Sequence, residues 1–477
     1  MGDFLIMSKE TTSNRYYVKA SNKKGRRNVK LEDLPEDVLR TILSKLPVKE
    51  VLKTSALSSQ WRYMWTICPK LSFNSVGACG GDRRDEKRSE QNFVDNVNLV
   101  LQKYRGKEVE NLEVRFAFDG MLVDHLTYWI SYAVSSRTKN IAFDLAPIRW
   151  GGRDDRYIFP LELFDSESIS RLQCIQLSFV SLKLPTHFRG FQNLRKLDLN
   201  LLHVTRKDLE NMLSNCDRLE WLSIVRCHLN DELRVESPLS HLMYLRVVNC
   251  IVTKVQFHAT RLSTFEYKGR FVPIIFPHCL KMETANIFFF KAVFQHALGA
   301  LLNDIPSIQN LTLQILPLQI EAQWDLGYQH KLSQLRNVQL LVHIFEEYVD
   351  NVLYLVSFLK AAPFIEKLEV HFGGCQELWF ASRGPARHQL PHPGREYSHL
   401  KDIHVTGYKG ARGQLELLLH MVEHAPALEA LTVHTTQLLP EACFPDSTAP
   451  SFFDDAGRHA RDHLGQGLSP KVKFCVV

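Results

Sequence analysis

Three groups of residues have the types that chemistry uses. Gly407, Gly410 and Gly413 form a G-x-x-G-x-x-G run ahead of a helical pattern, with Lys409 and Arg412 beside them. Glycine amides at a helix start can cradle a phosphate, but neither the Walker spacing nor the dinucleotide fingerprint is met, so the run reads as a tight turn. His388, His392 and His399 stand close together and raise the question of zinc. Zinc wants four ligands fixed in a tetrahedron, and a loop broken by Pro391 and Pro393, with no nearby cysteine pair, reads instead as solvated. Ten cysteines are scattered without a C-x-x-C pair, and Cys174, Cys227 and Cys250 stand inside apolar stretches. They read as small buried thiols of a reducing compartment. Neither H-E-x-x-H nor G-x-S-x-G occurs. The expectation is therefore no catalytic residue, no cofactor and no metal.

The elements around these residues follow from length and pattern. At 477 residues, 45% hydrophobic and 23% charged, the chain reads as folded, and as several units or a repeat array rather than one core. The net charge of +6 sits in residues 1–30, where eight basic side chains face two acidic ones; the rest balances at 50 against 50. No basic domain is left to follow a phosphate backbone, so no nucleic-acid partner is expected. The run Lys23-Lys24-Gly25-Arg26-Arg27 fits a nuclear address or a solvated tail. No segment reaches the roughly 18 apolar residues of a membrane span, the amino end lacks the apolar run of a signal peptide, and Cys475 is misplaced for prenylation. Nucleus, cytoplasm or both are the expected locations.

From residue 109 onward, apolar-x-x-apolar-x-apolar keeps returning, as in Leu172-Ile175-Leu177, Leu194-Leu197-Leu199, Leu219-Leu222-Ile224, Leu242-Leu245-Val247 and Leu262-Phe265-Tyr267. These starts are 22, 25, 23 and 20 residues apart, the length of a leucine-rich repeat. The last three positions form a short strand with alternate side chains inward, and stacking gives each unit the cover it cannot make alone. Met282-Ala285-Ile287 is a weak unit, and the convex side is expected to carry helices or loops. The sequon Asn310-Leu311-Thr312 lies in this buried pattern and reads as accidental.

Upstream, Val38, Leu39, Ile42, Leu43 and Leu46 fall at helical spacing, Pro35 stands near the start and Pro47 at the end. Val51, Leu52, Ala56 and Leu57 suggest a second helix, and Ser58 or Ser59 can cap a third carrying Trp61 and Trp65. That is more apolar surface than three short helices can hide from one another, and either the first repeat or another protein must cover it. The string LPEDVLRTILSKLPVKEVLKTSALSSQWRYMW resembles an F-box at Leu34-Pro35, Glu36, Ile42-Leu43, Leu46-Pro47, Leu57-Ser58, Trp61-Arg62 and Trp65. The stretch from His399 to Val433, and the tail ARDHLGQGLSPKVKFCVV, resemble the FBD module of plant F-box proteins.

The resemblance implies an α/β chain: a short N-terminal three-helix F-box, an irregular leucine-rich-repeat solenoid with parallel strands on the concave side, and an FBD-type β-α-β end. The expected boundaries are a basic flexible tail at 1–30, F-box at 31–72, linker at 73–92, repeats at 93–372, loop insertion at 373–398 and FBD-like module at 399–477. It also implies docking on a Skp-type adaptor, and through it on cullin and RING subunits of an SCF-type ubiquitin ligase. Leu34, Pro35, Ile42, Leu43, Leu46, Pro47, Val51, Leu52 and Trp61 are the residues carried over to adaptor contact or to shaping that surface, with Leu39 and Trp65 as core. Asp198, Ser223, Arg246 and Glu266, between inward leucines, are the candidate target-binding positions. The chain then reads as a non-catalytic receptor for an unidentified target protein; the alternative is a repeat scaffold acting outside a ligase.

Overall fold

The computed structural model describes residues 34–43, 45–46, 66, 68–75, 83–106, 108–118, 120–147, 155–186, 188–304, 307–319, 332–344, 352–374, 397–437 and 450–477. Two units are distinguished, residues 1–65 and 66–477. In the first, a helix spans Glu36–Leu43. The Pro35 carbonyl, just ahead of it, accepts from the amides of Val38 and Leu39, both at 3.1 Å. Leu39 and Leu43 are buried. The other two expected helices, with Pro47, Val51, Leu52, Trp61 and Trp65, lie outside the described residues.

Among the described residues of the second unit, fifteen strands form one sheet, and every neighbouring pair is parallel. It runs from Lys70–Asn74 to Lys473–Val476 in strict chain order. The inward pairs Leu197 and Leu199, Leu222 and Ile224, and Leu245 and Val247 are fully buried, and so are the leading residues Leu194, Leu219 and Leu242. Burying such a side chain stabilises by roughly 1.5–3 kcal/mol, and here only the next repeat offers the cover. The weak unit forms a strand too, Thr284–Val293, with Met282 and Phe289 buried. Two repeats escape the leucine pattern because another residue fills the leading place: Cys68 before Leu71, and Thr138 before Ile141.

The corners between strand and return share one device. Phe179, Leu201, Arg226 and Asn249 each follow a main strand in the left-handed region, with φ between 52° and 60°. Side chains other than glycine adopt this conformation at a cost. Each corner amide donates to a strand carbonyl of the next repeat, at Asn200, Val225, Val248 and Lys268 respectively. The residue after each corner then turns inward, as Val180, Leu202 and Cys227 show by their burial.

The opposite layer departs from the expectation of helices or loops. Long returns do carry helices, such as Val123–Ser135 and Arg412–Glu423. The central returns instead carry the strands His228–Val235, Ile251–Phe257 and Ile274–Ile275, which pair in parallel as a second sheet. The reason is length: an extended chain advances about 3.3 Å per residue against 1.5 Å in a helix, and returns 226–243 and 249–263 are short.

The expected linker also takes a different form. Residues 83–92, expected as linker, belong to a helix over Arg83–Lys103. Its apolar residues Val94, Val97 and Leu101 are buried, and the charged residues before them are good helix formers that extend it. Lys70–Ser72, at the end of the expected F-box, form part of the strand Lys70–Asn74. The FBD-like end is not set apart, since its strands Asp402–Thr406, Ala430–Val433 and Lys473–Val476 continue the same sheet.

Near that end, His371 is buried on the strand Lys367–Gly374. Its Nε2 lies 2.9 Å from the Gln339 amide nitrogen and its Nδ1 2.9 Å from the Thr406 hydroxyl. A neutral ring satisfies both, accepting from Gln339 and donating to Thr406. Burial holds its pKa below the ordinary 6.5, against the pull of Glu369, and burial lowers His434 as well.

Leu222→Ala, at a fully buried position, should cost about 2–5 kcal/mol, read as a lower midpoint in urea unfolding. A histidine with a depressed folded pKa stabilises above its unfolded value and loses that contribution as pH falls through the folded one. The melting temperature should therefore drop as pH is lowered from 7.5 through 6.5, and His371→Gln should make that slope shallower.

Candidate functional site

The alternation that turns Leu197 and Leu199 inward turns Asp198 outward, and the parallel register extends that row across the sheet. Asp198 pairs with Ser223, Ser223 with Arg246, and Arg246 with Glu266. The four positions expected from sequence thus lie in one line on four neighbouring strands. Ser223, a candidate target-binding position, is nevertheless 0% exposed. A serine reaches less far than the aspartate and arginine on either side and lies below their level.

The line is dense in charge. Arg246 Nε is 3.3 Å from Glu266 Oε2. Burial raises the Asp198 carboxyl, while Ser223, Lys196 and Arg246 act against that rise. Farther along, Arg115 Nη2 lies 3.6 Å from Glu113, and its Nε 3.3 Å from Asp144. Between these groups is an open depression of about 230 Å³, lined by Glu113, Arg115, Asp144, Gln176, Asp198 and Arg246.

A second outward row, missed in the sequence, runs beside the first through Lys196, Trp221 and Tyr244. The Trp221 and Tyr244 rings stack with centroids 5.2 Å apart and planes 1° apart, and Lys196 Nζ sits 4.4 Å from the Trp221 centroid. Burial, with Glu266 adding to it, pushes the Tyr244 hydroxyl up to about 12, so it stays protonated facing that carboxylate. The signal was available: in a strand with apolar-x-apolar inward, the residue before the first apolar one also points outward.

Paired charges next to a stacked aromatic plane suit recognition of a polypeptide, since aromatic and arginine side chains dominate such contacts. Of the residues carried over for the adaptor, Pro35 and Leu46 are exposed, with Val38 beside them, while Leu34 and Ile42 are half-buried. Leu43 is wholly buried. Pro47, Val51, Leu52 and Trp61 belong to the residues not described.

The glycine run is a turn. Gly407 and Gly410 have φ of +69° and +72°, and a Cβ on Gly407 would fall 2.1 Å from the Phe372 carbonyl oxygen. The amides of Gly407, Tyr408 and Lys409 donate to Thr436 O, His434 O and Gln414 Oε1, so none of the three is left for an anion. His388 and His392 lie outside the described residues, and His399 packs beside Phe364. Among the described residues, no group of three or more His, Cys, Asp or Glu is placed to hold a metal.

Comparison with known proteins now bears on this geometry. The model of the At1g61320/AtMIF1 LRR domain matches residues 100–454, and the F-box domain model matches residues 31–73. The F-box/FBD/LRR-repeat protein At1g13570 of Arabidopsis thaliana is 23% identical over 420 residues, 85% of this chain and 91% of its own. The F-box/FBD/LRR-repeat protein At2g04230 of Arabidopsis thaliana is 31% identical over 204 residues, 41% of this chain and 42% of its own. Among solved structures, the leucine-rich-repeat protein LIC12759 of Leptospira interrogans aligns at 12% identity and a TM-score of 0.32, over 79% of this chain and 85% of that one. With a repeat model over most of its length and an F-box ahead of it, the chain belongs to the At1g61320/AtMIF1 LRR-domain family of plant F-box/FBD/LRR-repeat proteins.

Proposed function

We propose that this chain is the substrate-recognition subunit of an SCF-type ubiquitin ligase. F-box domains generally bind Skp1-type adaptors, and F-box/LRR proteins generally act as adaptors rather than catalysts. The observation that carries the reading is an F-box joined to a long sheet whose outward rows hold paired charges and a stacked Trp221–Tyr244 plane. In this reading the F-box docks on the adaptor, and through it on cullin and RING subunits, while the row from Asp198 to Glu266, with Trp221 and Tyr244, meets a target protein. Holding the target's lysines near a charged ubiquitin carrier raises their effective concentration, which is the chain's contribution to the reaction. The chain works in the nucleus, the cytoplasm or both, and imaging a tagged full-length chain checks that placement.

Two variants separate the halves of this function. Trp61→Ala should lower recovery of a Skp-type adaptor at least tenfold, about 1.4 kcal/mol, as expected for a truncated aromatic anchor. Recovery at unchanged strength by the folded variant counts against the ligase and favours a scaffold acting outside it. Arg246→Glu removes the pair with Glu266 and reverses a charge on the outward row. It should keep adaptor binding and lower target ubiquitination several-fold in a reconstituted reaction; equal ubiquitination would move the target site elsewhere.

A further inference from the structure

Cys227 and Cys250 hold the same place in successive repeats, each just after a left-handed corner residue, Arg226 at φ 52° and Asn249 at φ 53°. Backbone pairing sets their separation. Two residues before them Val225 pairs with Val248 in the main sheet, and one residue after them His228 pairs with Ile251 in the second sheet. A chain pinned on both sides keeps close to the strand spacing of about 4.8 Å, inside the roughly 4.4–6.8 Å between Cα atoms that a disulfide spans.

The sulfurs keep the same repeat-to-repeat relation. Cys227 Sγ lies 3.4 Å from Val225 O and 3.7 Å from Leu199 O. Cys250 Sγ lies 3.3 Å from Ile224 O and 3.5 Å from Val248 O. Each sulfur thus lies between its own strand and the preceding one, Cys227 on one side of the strand Trp221–Val225 and Cys250 on the other, one strand spacing apart. Their surroundings differ, because Cys227 is fully buried and Cys250 half-buried. The hydrogen bond between the thiols, more than burial, drives their titrations apart, pushing Cys227 up and holding Cys250 below the ordinary thiol value. Cys250 is thus the one reachable from solvent and the readier thiolate.

We propose that Cys227 and Cys250 form a peroxide-responsive dithiol site, with Cys250 as the sulfur attacked by oxidant and Cys227 as the resolving thiol. The oxidant is hydrogen peroxide. The Cys250 thiolate attacks one peroxide oxygen, the O–O bond breaks, hydroxide leaves, and protonation gives a sulfenic acid and water. The Cys227 sulfur then attacks the Cys250 sulfur; the S–O bond breaks, the hydroxyl leaves with the Cys227 proton as water, and the S–S bond forms. Two thiols are oxidised by two electrons and one peroxide is reduced to two waters. The link would tie together the two repeats that present Ser223 and Arg246.

Tryptic digestion separates the two cysteines on single-cysteine peptides, CHLNDELR and VVNCIVTK. Reduced full-length protein treated with hydrogen peroxide and alkylated before digestion should yield these two peptides joined and lighter by two hydrogens, and dithiothreitol should part them. Cys250→Ser should abolish the joined peptide. Cys227→Ser should leave Cys250 as a sulfenic acid that dimedone captures, with circular dichroism confirming that both variants keep their fold. The proposal is overturned if both peptides stay fully alkylated after peroxide. It also falls if wild-type Cys250 takes up dimedone without joining Cys227, or if either cysteine joins another partner instead.

Discussion

Each repeat of this protein has an apolar edge that it cannot cover, and the neighbouring repeat is the cover. Leu222 and Ile224 are buried because Leu197 and Leu199 lie on one side and Leu245 and Val247 on the other. The corners apply the same rule to the backbone. Arg226 and Asn249 adopt a conformation that is unfavourable alone, and each donates its amide to the following strand. Stability is therefore shared between neighbours, and the outward rows inherit an order they do not themselves enforce.

That order makes the face useful. Asp198, Ser223, Arg246 and Glu266 are far apart in sequence and adjacent in space only because the inward leucines fix the register. Lys196, Trp221 and Tyr244 share it, and their stacking leaves a cation, an aromatic plane and a phenol in line. At His371, a buried polar group on this face, one hydrogen bond to each neighbouring strand satisfies the ring, one with Gln339 and one with Thr406.

Much of this was legible in the sequence. The inward residues announce themselves because period-two alternation and a spacing near 23 residues are signals no helix or loop imitates for long. The F-box was legible through a few apolar and tryptophan positions. Other features were hidden for physical reasons. Cys68 and Thr138 fill a leucine's place while staying buried, so the first and third strands carried no visible signature. The helix Arg83–Lys103 begins in a run of charges whose tendency to form helix is not apolar periodicity. Ser223 is outward yet inaccessible, because access depends on the length of its neighbours rather than on the direction of its own Cβ. The second-layer strands follow from how short a return is, a property of the spacing between units rather than of any residue within them.

Those short returns have a geometric result. Strands backing the main sheet at His228–Val235, Ile251–Phe257 and Ile274–Ile275 stack at about 4.8 Å, the same interval as the strands in front, whereas packed helices need 8–10 Å. Over these returns the side chains of the front and back layers therefore step at one common interval.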